Sequence, residues 1–194
     1  MPHIHTEPNQ HDVTVSAWLF RGEKEQEVFV HMHRKMHKYT EVGGHMELDE
    51  TPWQTIAHEL EEESGYGLDD LEIYQPDYVR PVISHAVTVH PVPTYVVTYQ
   101  PVKDHYHTDF IYVFHEISGP SSVPGDGESN DLRWMSLKDL EQGVRDGTVL
   151  DDVAEIYPVL RDAIRSPGYI RVSTSLFSHG KPPLNDGATE RLVK

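Results

Sequence analysis

Residues 43–67 read GGHMELDETPWQTIAHELEEESGYG, and the rest of the chain can be placed from this stretch outward. Glycines stand at both ends, Gly43-Gly44 before and Gly65 and Gly67 after. Between them is a helix start: Thr51 suits the N-cap, Pro52 the first helical position, and Gln54 stands three residues beyond the cap. Trp53, Ile56 and Leu60 recur at i, i+3 and i+7 and form one apolar stripe, while Glu59, Glu62 and Glu63 share a separate face. A helix is therefore expected over Pro52–Ser64. Its run Glu61-Glu62-Glu63 has no lysine or arginine at i±4 to relieve it, and like charges so spaced repel. Carboxylates grouped on a rigid element are hard oxygen ligands suited to Mg²⁺ or Mn²⁺.

The spacing is specific. From Gly44, Glu50 lies six residues on, and seven further residues lead to His58-Glu59-Leu60-Glu61-Glu62-Glu63-Ser64-Gly65-Tyr66. This resembles the signature of the Nudix hydrolases, G-x5-E-x7-R-E-U-x-E-E-x-G-U, where U is a bulky aliphatic residue. The chain departs from it twice: His58 stands in place of the arginine, and Tyr66 is aromatic. The resemblance implies an α+β fold, a mixed β-sheet sandwiched between helices with the signature as loop–helix–loop. It also implies metal-dependent hydrolysis of a nucleoside diphosphate linked to another moiety. Carried over position by position, Glu59, Glu62 and Glu63 are the expected catalytic metal ligands, with the Gly44 carbonyl as a further ligand and Mg²⁺ or Mn²⁺ as cofactor. Gly43, Glu50, His58 and Gly65 would support the loop and helix. The family arginine orients the glutamates; a histidine can donate hydrogen bonds but lacks the bidentate fork. The alternative is a non-catalytic Nudix-like nucleotide sensor, for which His58 is the sequence support. Isoprenoid isomerases of this fold use a cysteine, and the chain has none.

At 194 residues, with 37% hydrophobic and 25% charged residues, the chain suits one well-cored domain. The division expected is a domain over residues 1–165 and a Pro/Gly/Ser-rich, partly disordered extension over 166–194. A formal net charge of −16 argues against binding a nucleic acid polymer. No apolar stretch approaches transmembrane length, no signal peptide is apparent, and a cytoplasmic protein acting on a small nucleotide follows as the default. Nudix relatives are often dimers, which leaves room for a homodimer.

Strands are expected at 13–20, at Glu25–Arg34 as its hairpin partner, near Tyr39–Val42, within 71–102, at 109–117 and at 131–135. Helices should follow at LKDLEQGVR after Ser136 and at about Asp151–Ile164. The 14 histidines form further constellations. On a strand, His105, His107 and Asp109 would face one side, a geometry that serves either a metal or a substrate pocket. His31-x-His33 followed by Glu41 has the residue types of a cupin metal site, but the wrong spacing. Arg80 and Arg133 are candidates for substrate phosphate, since basic residues are scarce. Tyr74, Tyr78, Tyr106 and Trp134 could stack on a base, although such aromatics more often fill cores. Glu116 and Glu128 are the late glutamates available as metal ligand or base. Within the family a proline about fifteen residues past the signature accompanies ADP-ribose preference, and Pro81 occupies that place.

Overall fold

The long strand β1 (Gln10–Arg21) runs parallel to β7 (His105–Glu116), in register from Gln10 opposite His105 to Phe20 opposite His115. This pair is the centre of a computed structural model that describes residues 7–79 and 88–177. The remaining pairings in the nine-stranded sheet are antiparallel. β2 (Glu27–His33) flanks β1 and carries β3 (Lys38–Thr40) and β8 (Leu132–Ser136), while β4 (Val42–His45) pairs with the first half of β1. On the other side, β7 is flanked by β5 (Leu71–Pro76) and β6 (Tyr95–Val102), and β5 by β9 (Tyr169–Ser173).

Strand alternation divides the core in two. Val15, Ala17 and Leu19 pack with Trp53, Ile56 and Leu60 of α1 (Pro52–Ser64). Trp18 and Phe20 point the other way, into a cluster with Leu140 of α2 (Leu137–Arg145) and Val153, Tyr157 and Leu160 of α3 (Asp151–Ile164). The sheet is thus sandwiched between helices, the α+β arrangement expected. All three helices fall where the sequence predicts them, α1 and α2 behind the capping side chains of Thr51 and Ser136.

The structure adds a stretch that composition hides. Residues after Ser166 continue the sheet as β9 and end, within the described residues, on Phe177, which is 3% exposed. Phe177 packs edge-on against Trp53 at 6.2 Å between ring centroids, and its carbonyl accepts from the Trp53 indole at 3.4 Å. Glycines and serines in this segment lower its apparent order, yet backbone pairing with β5 and one buried aromatic are enough to hold it. Phe177→Ala should therefore lower unfolding stability by about 3 kcal/mol in a denaturant titration. An unchanged midpoint would mean that the segment is only loosely attached. Arg80 and Pro81 lie outside the described residues.

Candidate active site

The start of α1 is fixed by a reciprocal cap: Thr51 Oγ1 accepts from the Gln54 amide at 3.3 Å, and Gln54 Oε1 accepts from the Thr51 amide at 2.9 Å. Its end is fixed by Gly65 at φ 77°, whose amide bonds to the Glu61 carbonyl. The loop from 117 to 131 is stitched to that end. The Ser122 amide bonds to the Gly65 carbonyl at 3.0 Å and the Gly125 amide to the Glu62 carbonyl at 2.7 Å. A Cβ on Gly65 would stand 2.4 Å from the Ser122 carbonyl oxygen, so glycine is required twice over.

One α1 face meets β4. Glu59 is 4% exposed and its Oε1 is buried with no hydrogen-bond partner. Burial, and next among the raising influences the nearby Glu62, push its carboxyl up to about 7. Glu63, 8% exposed, is also raised well above the usual range, first by burial and then by Glu59. Its Oε2 accepts from the Gly43 amide at 2.9 Å. Gly44 lies against Glu59 so closely that a Cβ would stand 2.0 Å from Oε1. Glu62 is more exposed and takes part in a bridge: His58 Nε2 is 3.1 Å from Glu62 Oε2, and His58 Nδ1 is 3.4 Å from Glu50 Oε1. Glu50 is held in turn by the Thr55 hydroxyl at 2.9 Å. Among the described residues, no lysine or arginine forms an ion pair with Glu59, Glu62 or Glu63. Desolvated carboxylates, one with an unsatisfied oxygen, beside a glycine where only hydrogen fits, make a donor set suited to a hard divalent cation.

His58 thus lies between two carboxylates, with one ring nitrogen facing each. His58→Arg should preserve or raise turnover, whereas His58→Ala should lower it by about tenfold. Complete inactivity of the arginine variant in a steady-state assay would show that histidine has its own chemical role.

The structure separates the other candidates. Glu116 is bonded by the Tyr66 hydroxyl, and Tyr66, 1% exposed, packs edge-on against Phe29 at 5.6 Å. The aromatic in the last signature position is therefore core with its hydroxyl satisfied. Glu128, by contrast, acts electrostatically on both Glu63 and His33. Arg133 is engaged within the chain: its Nε lies 3.0 Å from Asp131 Oδ1, and its guanidinium covers the Tyr39 ring at 4.6 Å. Trp134 packs against Phe29 at 5.4 Å under the Arg21 guanidinium. His105, His107 and Asp109 do face one side and are buried. Asp109 accepts from Thr14 Oγ1 at 2.8 Å and Ser16 Oγ at 2.7 Å, on the sheet face opposite α1.

Two residues near the carboxylates carry no signal in the signature. His31, 1% exposed, has Nε2 at 3.4 Å from Glu63 Oε2. Burial, and then His33, lower its pKa to about 4, so this contact is not an ion pair at neutral pH. Arg34 reaches the loop from 117 to 131, with Nη1 3.6 Å from where a Cβ on Gly127 would stand. The histidine pair at 31 and 33 is visible in the sequence; the contact of His31 with Glu63, from β2 to α1, is not.

Comparisons with known proteins bear on the fold and the family. A NUDIX domain model matches residues 10–158. A Nudix-family hydrolase from Clostridium perfringens superposes with a TM-score of 0.60 at 22% identity, covering 79% of this chain and 98% of that one. A NUDIX hydrolase from Nitrosomonas europaea gives 0.55 at 14% identity over 88% and 98%, and a UDP-X diphosphatase 0.53 at 15% over 84% and 68%. Comparison with curated proteins finds no match. The family model spans most of the chain and includes the loop–helix–loop built around Glu59 and Glu63, so the chain belongs to the Nudix family.

Proposed function

We propose that this Nudix-type pyrophosphohydrolase cleaves a phosphoanhydride bond in a nucleoside diphosphate linked to another moiety, such as an ADP-ribose-like compound or a modified nucleotide. Glu59, Glu62, Glu63 and the Gly44 carbonyl would hold Mg²⁺ or Mn²⁺. The observation that carries the reading is Glu59: a buried carboxylate with an orphaned oxygen, held up to about 7, against a glycine that leaves room for nothing larger than hydrogen. When bound, the divalent ion neutralises phosphate oxygens and acidifies water.

The chain's own residues supply the rest. His58 and Glu50 hold Glu62 in place, and the Gly43 amide aims Glu63. Water attacks phosphorus, the anhydride P–O bond breaks, and a carboxylate accepts the water's proton. Glu128 is the late-loop carboxylate that supports this role, since Glu116 is taken by Tyr66. Arg34, beside Gly127, would meet a phosphate that enters over the loop. The alternative is a non-catalytic nucleotide sensor, for which His58 in place of the family arginine is the support.

The test is hydrolysis across a panel of ADP-ribose, dinucleoside polyphosphates and oxidised nucleoside triphosphates, with and without Mg²⁺, using Glu62→Gln as control. Cleavage of one class that needs metal and is lost in the control is expected. Tight, metal-independent nucleotide binding without turnover on any of them would favour the sensor instead.

A further inference from the structure

On the sheet face opposite α1, three adjacent strands each bring a metal-type donor to one place. Asp12 of β1 and His107 of β7 are register partners across the parallel pair. His45 of β4 follows Gly44 and lies opposite Thr14. Alternation settles the face, because Asp12, Thr14 and Ser16 share the parity of Trp18 and Phe20, which pack toward α3. The donor atoms of Asp12, His45 and His107 all lie within 4.8 Å of one another. His45 Nε2 is 3.2 Å from His107 Nε2 and 3.7 Å from Asp12 Oδ2. Ligand atoms about 2.0–2.1 Å from one tetrahedral ion stand roughly 3.4 Å apart. The two His45 separations, 3.2 and 3.7 Å, bracket that spacing.

We propose that Asp12, His45 and His107 form a second metal site, selective for a borderline divalent transition metal such as zinc and separate from the carboxylate site on α1. Two imidazoles and one carboxylate suit zinc, cobalt or nickel better than magnesium. Burial supports a defined site, with Asp12 at 1% and His107 at 6% exposed. His107 Nδ1 lies 3.1 Å from the Tyr99 hydroxyl, and with Nδ1 as the donor of that bond Nε2 presents its lone pair to the cluster. His105 Nε2 is 3.3 Å from the same Asp12 oxygen and steers that carboxylate. A hydrogen bond between the imidazoles would account for their contact alone. The carboxylate beside them and the bond behind His107 are what a cation site adds.

The experiment is a zinc titration of the full chain, stripped with chelator, by calorimetry in excess Mg²⁺, paralleled by Co²⁺ absorption. One zinc at micromolar affinity or tighter is expected, and it should persist in the Glu59→Gln/Glu62→Gln double variant. His107→Gln and His45→Gln should each weaken it by about 100-fold or more and remove the Co²⁺ ligand-field bands. Circular dichroism confirms folding, and where His107→Gln does not fold, His45→Gln decides. No zinc binding overturns the site. So does binding unchanged in the histidine variants, which would place the ion on other histidines, or binding lost with the glutamates alone.

Discussion

Glu59→Gln is expected to lower hydrolysis by about 10³-fold and, in metal-free protein, to raise stability above neutral pH. The loss of activity follows, on the proposed reading, from removing a charged oxygen that would hold the cation. The gain in stability follows from the same burial. The Glu59 carboxyl is raised from 4.5 to about 7 in the fold. A raised carboxylate favours its neutral form, so its contribution is fully present below pH 4.5 and is lost as pH rises through about 7. The shift corresponds to about 3 kcal/mol at full effect. Glutamine keeps the shape without the charge. The variant and the wild type should therefore have equal stability near pH 4.5 and diverge by up to about 3 kcal/mol at pH 8, a rise in Tm of roughly 5–10 °C. His31 works in the opposite direction: lowered from 6.5 to about 4, it supports the fold above pH 6.5 and loses that support as pH falls toward 4. It is present in both proteins and cancels in their difference. Added Mg²⁺ or Mn²⁺ should stabilise the wild type more at pH 8 than at pH 5, and the variant little at either. Thermal melts across pH, with and without metal, check all of this. A variant less stable than the wild type in metal-free buffer at pH 8 would sink the account.

The part of this site that lies within one helix was legible in the sequence, and the part assembled across strands was not. Thr51, Pro52, Gln54 and Gly65 fix α1 by local rules, and three glutamates on one turn-and-a-bit of helix need no tertiary information to be grouped. The alternation of β7 likewise put His105, His107 and Asp109 on one face. Proposing Glu128 over Glu116 needed the bond from the Tyr66 hydroxyl to Glu116, which pairs residues 50 positions apart. Arg133 looked available because arginines are few, but scarcity says nothing about the aspartate two residues earlier that occupies it. Asp12 and His45 had no signal of their own. Only the parallel register of β1 with β7 and the antiparallel register of β1 with β4 brings them to His107. The order of β9 was obscured for a different reason: a short edge strand draws on backbone pairing, and the side chains that composition counts contribute little except at Phe177.

The two adjacent glycines should separate stability from catalysis. A Cβ on Gly44 would meet the Glu59 carboxylate, 2.0 Å from Oε1 and 2.5 Å from Cδ. That is the far end of a side chain, which can swing away, so Gly44→Ala should cost about 1 kcal/mol or less. Swinging away, however, moves a metal-holding oxygen by an ångström or more, and misplacement on that scale costs about 10²-fold in turnover. A Cβ on Gly43 would instead meet the Val15 carbonyl oxygen at 2.3 Å and Ser16 Cα at 3.1 Å, the backbone of β1 itself. Here nothing flexible can yield, the β1–β4 pairing must open, and Gly43→Ala should cost about 1–3 kcal/mol. Urea unfolding and Mg²⁺-dependent turnover on the same two proteins give the comparison. If Gly44→Ala kept full turnover, Glu59 would not be where the reaction needs it, and the assignment of the helix carboxylates to the metal would fall with it.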